Sequence, residues 1–276
     1  MAPAKPFSSI VHPFDSPTTP GACAYESGLP DAKNALVFIG GLGDGPHNVA
    51  YPRAIAKRLE SQPALNYSVF EFRLRSSFLG FGFLRLADDV EDISALVEYL
   101  RSIGKEKVVL IGHSTGCQGP VSDRGALSKE MGQSKLEESV KVAKDIVSSG
   151  KGHERMPLES LPDSMQDTPI SAFRWHSLSA TDGEDNYFSP ELSDEVAGAF
   201  WKRVDKPILI LHSGKDEFVL DSVDKEALVK HWTTLCRPGI ASRLSGVIPG
   251  ASHKVEEPGA EQWLAGTVVQ FLQDIN

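Results

Sequence analysis

Apolar residues fall along this chain in blocks whose spacing switches between two periods. Ala35–Ile39, Val108–Ile111 and Pro207–His212 are short, nearly unbroken apolar runs closed by turn residues, the pattern of strands buried on both faces of a parallel sheet. Tyr67–Leu74 sets Val69, Glu71 and Arg73 against Phe70, Phe72 and Leu74 and predicts a further strand. Leu244–Ile248 adds a short one, and Ala22–Glu26 an edge strand within the Pro-rich first 34 residues. Between these runs the period becomes helical. Helices are predicted over Pro52–Glu60, Asp88–Ser102, Ser134–Ser149, Ser189 to Arg203, Val223–Leu235 and Pro258–Asp274. Val90, Ile93, Val97 and Leu100 form one helical face behind Asp88 and Asp89, which suit a helix N-terminus. Ser134 with Glu137 reads as a capping box, and Gly150 as a stop. Alternating strands and helices predict one α/β domain over residues 1–276 with a mostly parallel central sheet. Residues 120–204, mainly helical, form a cap insertion.

The strand ends carry the chemistry. Val108–Ile111 runs into Gly112-His113-Ser114-Thr115-Gly116, the Gly-x-Ser-x-Gly pattern of a serine held on a sharp strand-to-helix turn. Side chains beside that serine would collide across the turn, which is why residues without a Cβ flank it. A triad on this kind of fold follows in the order Ser, acid, His. Pro207–His212 ends in Ser213-Gly214-Lys215-Asp216-Glu217, and Leu244–Ile248 runs into Ser252-His253. Ala35–Ile39 ends in a glycine-rich turn, Gly40 to Gly45, suited to presenting a backbone N–H to an oxyanion. The expected site is therefore Ser114 as nucleophile, His253 as base and Asp216 as the orienting acid, with Glu217 and Asp221 as rival acids. The oxyanion donors are the N–H groups of Thr115 and Leu42, with Gly41 the alternative to Leu42. His113 sits on the wrong side of the turn for a base, and His212 is a strand-end residue.

Composition narrows the class without changing this picture. A net charge of −9 disfavours nucleic-acid or anionic-membrane partners, which need a basic face. Three scattered cysteines form neither a disulfide framework nor a zinc site, and the histidines have no metal-ligand spacing, so neither metal nor cofactor is expected. The N-terminal stretch has no apolar core of a secretory signal and no window is apolar enough for a membrane span, so the expected location is cytoplasmic. Two local segments stay open. Ser76–Leu84 is either a core-covering loop or an aromatic wall of the substrate pocket. Asp182, Glu184 and Asp185, ahead of Tyr187-Phe188, form either a solvated turn with an aromatic anchor or a cap contact to a polar or cationic substrate.

One feature breaks the pattern. A serine turn of this kind normally launches a full helix, yet Gly119-Pro120 follows at once, and proline there removes a backbone donor and clashes with the preceding turn. The helix can hold about one turn. No convincing strand follows before Pro207 either, the best candidate being the short Ile170–Trp175. One helix and one strand after the nucleophile are missing between Gln118 and Pro120.

The segments FIGGLGDG (38–45), GHSTGCQ (112–118), PVSDRGAL (120–127), DGEDNYFS (182–189), SGKDEFV (213–219) and PGASHKVE (249–256) together resemble a fungal and plant family of α/β-hydrolases long described as of unknown function. Its fungal branch includes intracellular esterases of fusarinine-type siderophores. In that family a helix and a strand separate the Gly-Cys-Gln from the Pro-Val-Ser-Asp-Arg element; here the two abut. The resemblance implies a serine esterase that uses no cofactor and acts on a small-molecule ester, a ferric siderophore among the candidates, with iron as part of the substrate. The alternatives are a catalytically impaired, ligand-binding form of the same fold and a thioesterase or lipase. Substrate-binding residues and oligomeric state are not legible in the sequence.

Overall fold

The computed structural model describes residues 6–117, 127–187 and 192–276. Five strands form the main sheet: β1 (Ile10–Pro13), β2 (Cys23–Gly28), β3 (Asn34–Ile39), β4 (Tyr67–Phe72) and β5 (Lys107–Gly112), in the order β1-β2-β4-β3-β5. The sheet is mixed. β1 pairs with β2 and β2 with β4 antiparallel, whereas β3 runs parallel to both β4 and β5. Every residue of β3 and β4 is buried, the polar Ser68 and Glu71 of β4 included, because both faces of these strands are covered. On one face Leu36, Phe38 and Val69 pack against α1 (Tyr51–Glu60) and α7 (Pro258–Asp274), through Ile55, Leu59, Leu264 and Val268. On the other, Val37, Phe70 and Phe72 pack on Leu96 and Leu100 of α2 (Leu86–Ser102). The result is a layered α/β fold with helices on both faces.

Further helices are α3 (Gln133–Ser148), α4 (Ala172–Ser179), α5 (Asp194–Trp201) and α6 (Lys225–Leu235). α3 and α4 share an apolar cluster in which Leu136, Ala143, Ile170 and Trp175 are almost fully enclosed. Ile170–Trp175 is therefore not a strand. Ser171 starts a helix there, its side chain accepting the Arg174 N–H at 3.3 Å, and this cap overrides the short apolar run. The capping box at Ser134 and Glu137 does not form. Gly132, at φ +83°, precedes the helix, which begins one residue earlier and leaves Ser134 inside its first turn. The start predicted at Ser189 lies outside the described residues, and α5 is instead capped by Ser193.

The sheet ends at β5. Two further strands, β6 (Leu211–Ser213) and β7 (Gly246–Ile248), pair parallel with each other in a separate two-stranded sheet. Both are shorter than their sequences suggest: Ile208 makes only an isolated bridge with Ala241. Among the described residues none pairs with the outer side of β5. After Gly112 the chain makes only a 3-10 turn over Ser114–Cys117, and the Gln118–Pro120 junction lies outside the described residues. Val109 and Ile111 of β5 and Leu209 and Leu211 near β6 nevertheless pack on the same cluster beneath α1 and α7. On the opposite face Leu110 is 50 % exposed in mid-strand, a position that a helix following the nucleophile would cover.

The contrast can be measured. Leu36→Ala, in a fully enclosed site, is expected to cost about 2–5 kcal/mol in urea unfolding. Leu110→Thr is expected to cost under about 1 kcal/mol. A comparable loss for both would mean that Leu110 is covered.

Candidate active site

β3 and β5 lie side by side and both end at the same rim of the sheet, Ile39 opposite Gly112. Ser114 stands just beyond, at φ +53°, in the left-handed region that residues with a Cβ rarely adopt. The flanking glycines make this turn fit. A Cβ on Gly112 would stand 2.5 Å from the Gly116 carbonyl oxygen, and one on Gly116 would strike the carbonyl oxygens of Ile39 and Gly40. A Cβ on Gly41 would stand 2.8 Å from that of Ser114 and 3.3 Å from its Oγ, so the glycine-rich turn after β3 lies directly on the serine.

That turn is locked by a residue the sequence reading passed over. Asp44 is buried, and its Oδ2 accepts the Gly41 N–H at 3.0 Å while its own N–H donates to the Gly41 carbonyl at 3.0 Å. The Gly41 N–H is thus directed into its own turn, and Leu42 follows it. The other Asp44 oxygen lies 3.8 Å from Lys254 Nζ, linking the turn to the loop after β7.

The loops after β6 and β7 bring an acid and a histidine together. Asp216 Oδ2 lies 2.8 Å from His253 Nδ1, and its Oδ1 accepts the Phe218 N–H at 3.0 Å. Burial pushes the Asp216 carboxyl up, but the hydrogen bond and charge of His253 outweigh it and hold the group below its ordinary value. The rival acids are placed elsewhere. Glu217 accepts the His253 backbone N–H at 2.8 Å and so fixes the loop, and Asp221 is exposed. The Phe218 ring stands edge-on to His253, with centroids 4.8 Å apart. On its other side His253 faces the ring of His113 at 5.1 Å, one residue from Ser114.

His113 is enclosed by Phe38 and Tyr51 and packs as expected for a residue inside the turn. Burial, with the nearby His253, depresses it to about 4. His212 points Nδ1 at the Ser213 carbonyl at 2.9 Å and stacks on Trp232. Among the described residues no group of three or more His, Cys, Asp or Glu side chains could hold a metal ion.

A narrow cavity adjoins the serine turn, lined among others by Gly41, Leu42, Thr115, Phe81, Asp89 and Arg174. The last two belong to elements that sequence reading treated as a helix cap and an uncertain strand. Arg174 donates to the Phe81 carbonyl at 2.9 Å and to Asp185 at 2.6 Å. Asp185 is therefore no part of a solvated turn but half of a buried ion pair, while Asp182 stays at the surface with Lys144. The Ser76–Leu84 segment divides: Phe81 joins the α3–α4 cluster, and Phe78, half exposed at φ +59°, presses its ring on Gly45.

Residues 1–119 and 117–273 match the family described as "Protein of unknown function (DUF1749)". The chain belongs to this family. The two matched segments meet at residues 117–119, where the sequence pattern breaks. A Schizosaccharomyces pombe relative, UPF0613 protein PB24D3.06c, is 31% identical, covering 87% of this chain and 88% of its own. The fusarinine C esterase sidJ of Aspergillus fumigatus is 28% identical over 87% of this chain and 88% of its own. That alignment spans 316 positions against a chain of 276 residues, so the relative carries segments with no counterpart here. Among solved structures, the siderophore hydrolase EstB from Aspergillus fumigatus superposes with a TM-score of 0.78 at 23% identity, covering 99% of each chain. With a monoglyceride lipase from Saccharomyces cerevisiae the TM-score is 0.56 at 15% identity, covering 99% of each chain. The fold is that of the α/β-hydrolases.

Burial of neutral His113 makes stability depend on pH. Unfolded, this imidazole takes up a proton below its ordinary value of 6.5; folded, it resists doing so until about 4. Its contribution is thus fully present above pH 6.5 and is lost as pH falls toward 4, by on the order of 3 kcal/mol. The urea midpoint of the wild type is expected to fall more steeply over that window than that of His113→Gln. Parallel curves would show that His113 titrates normally.

Proposed function

We propose that this protein is a serine esterase that cleaves carboxylic esters through an acyl-enzyme. The observation that carries the reading is the 2.8 Å contact of Asp216 with His253 Nδ1 beside the left-handed Ser114 turn. In this reading Ser114 Oγ attacks the ester carbonyl and His253, through Nε2, takes the hydroxyl proton. His253 then returns that proton to the departing alcohol, and water attacks the acyl-enzyme by the same route in reverse. Asp216 holds the imidazole in the tautomer whose Nε2 accepts the proton, and stabilises the imidazolium that forms. The N–H groups of Thr115 and Leu42 face the oxyanion; Gly41 is less suited because its N–H is bonded to Asp44.

The substrate class follows from kinship. Similarity to a fusarinine C esterase supports a fusarinine-type siderophore ester as substrate, with iron carried by that substrate. We place the reaction in the cytoplasm, within a single domain whose helices between 127 and 204 act as the cap. A second reading has its own support: among the described residues nothing pairs with the outer side of β5 and a 3-10 turn over Ser114–Cys117 stands behind Ser114, which favours a ligand-binding form with weakened catalysis. That turn contributes less dipole to an oxyanion than a full helix does.

Hydrolysis of a short p-nitrophenyl ester and of a ferric fusarinine separates the readings. The wild type is expected to cleave both and to be labelled by a fluorophosphonate at Ser114, and Ser114→Ala to do neither. Equal rates for the two proteins would remove Ser114 from the reaction. Ligand binding without labelling would favour the non-catalytic form. Asp216→Asn is expected to lower kcat by up to about 10⁴-fold with the fold intact; a loss below tenfold would point to a different acid.

A further inference from the structure

Phe218 is a large apolar side chain that the packing of the fold does not use. Its ring is 44 % exposed, and it belongs to none of the apolar clusters formed among the described residues. A single exposed apolar residue is ordinary. The place of this one is not: among the described residues its ring contact is with His253, edge-on, with centroids 4.8 Å apart.

The acid that holds the imidazole also holds this ring. Asp216 Oδ1 accepts the Phe218 N–H at 3.0 Å, and the Asp216 carbonyl accepts the Val219 N–H at 3.3 Å. The turn so closed is anchored by Val219, which is buried. Asp216 Oδ2 meets His253 Nδ1 at 2.8 Å, so imidazole and phenyl ring are set against each other by one carboxylate. Charged side chains beside them are turned to other partners. Glu217 accepts the His253 backbone N–H, and Lys254 faces Asp44. In the esterase reading the departing alcohol takes its proton from His253, so its oxygen comes within about 3 Å of the imidazole. The carbons borne by that oxygen then come into reach of the phenyl surface that packing leaves open.

We propose that Phe218 is a specificity residue for the alcohol part of the ester, selecting alcohols whose carbons near the ester oxygen are apolar. The proposal rests on the esterase reading and adds the chemical class of the leaving group. A partly desolvated ring gains from each methylene that covers it, whereas an ether oxygen laid against it loses water without gaining a donor.

Butyl acetate and 2-methoxyethyl acetate test it, since they share the acyl group and differ by a methylene in place of an ether oxygen in the alcohol. Hydrolysis is followed at pH 7.5 by acid release, with Ser114→Ala as the blank. Each rate is divided by that of the same ester in dilute hydroxide, which removes the difference in leaving-group acidity. The wild type is expected to favour butyl acetate in kcat/KM by roughly fourfold or more, and Phe218→Ala to reduce that ratio about threefold. Phe218→Leu is expected to fall between the two. The ratio of ethyl butyrate to ethyl acetate, an acyl comparison, is expected to stay the same in all three proteins. These ratios cancel any loss of folded enzyme, and a residue that only supports the imidazole would slow every ester alike. Ser114-dependent cleavage with a wild-type ratio of one or less, with the wild-type ratio retained in both variants, or with an equal shift of the acyl ratio overturns the Phe218 proposal and leaves the esterase reading standing. Rates no higher than those of Ser114→Ala for all the esters overturn the esterase reading and the proposal with it.

Discussion

Backbone crowding where β3 and β5 end side by side is the constraint on which the site depends. The turn that lifts Ser114 out of the sheet has to pass within contact distance of the Ile39 and Gly40 carbonyls and of Gly41. Gly112, Gly116 and Gly41 give up side chains so that three stretches of main chain can meet there. Ser114 adopts the left-handed conformation because its surroundings over-determine it, which is how strained geometry survives at reactive centres. Asp44 then closes the turn after β3 and reaches toward Lys254, so the same crowded corner is tied to the loop that holds His253.

Much of this was legible beforehand, for physical reasons. A strand buried on both faces needs a continuous apolar run, so β3 stands out in the chain; β5 carries a similar run, yet none of its residues is fully buried. The glycines of the serine turn are demanded by sterics and carry the same information. The meeting of Asp216 with His253 was legible because each follows a short apolar run closed by a turn. What escaped detection depends on contacts between segments far apart in sequence. Asp44 looks like an ordinary turn residue until the Gly41 N–H is seen to need an acceptor. Arg174 and Asp185 read as a helix residue and a solvated acid until the packing of α3 on α4 buries both. Ile170–Trp175 was only a weak strand candidate, because a run so short and polar-edged fits a strand or a helix equally well, and the Ser171 cap decides it locally.

The break after Gln118 was read from a proline, and its surroundings bear physical marks of it. Among the described residues β5 is the last strand of its sheet, and Leu110 stands half in solvent where a central strand would be covered. The family match falls into two segments that meet at the same place, and the sidJ alignment is longer than this chain.

The separation of β6 and β7 from the main sheet has a mechanical consequence. In a continuous sheet, ladder hydrogen bonds would set the register of β5 against β6 and β7. Here Val109, Ile111, Leu209 and Leu211 meet through a shared apolar layer instead. Such contacts lack direction: they set how far apart two bodies sit and only weakly how they slide past each other. Among the described residues the 3.8 Å contact of Lys254 with Asp44 is a polar tie across this seam, so the placement of Asp216 and His253 against the Ser114 turn leans on packing and charge rather than on a hydrogen-bonded ladder.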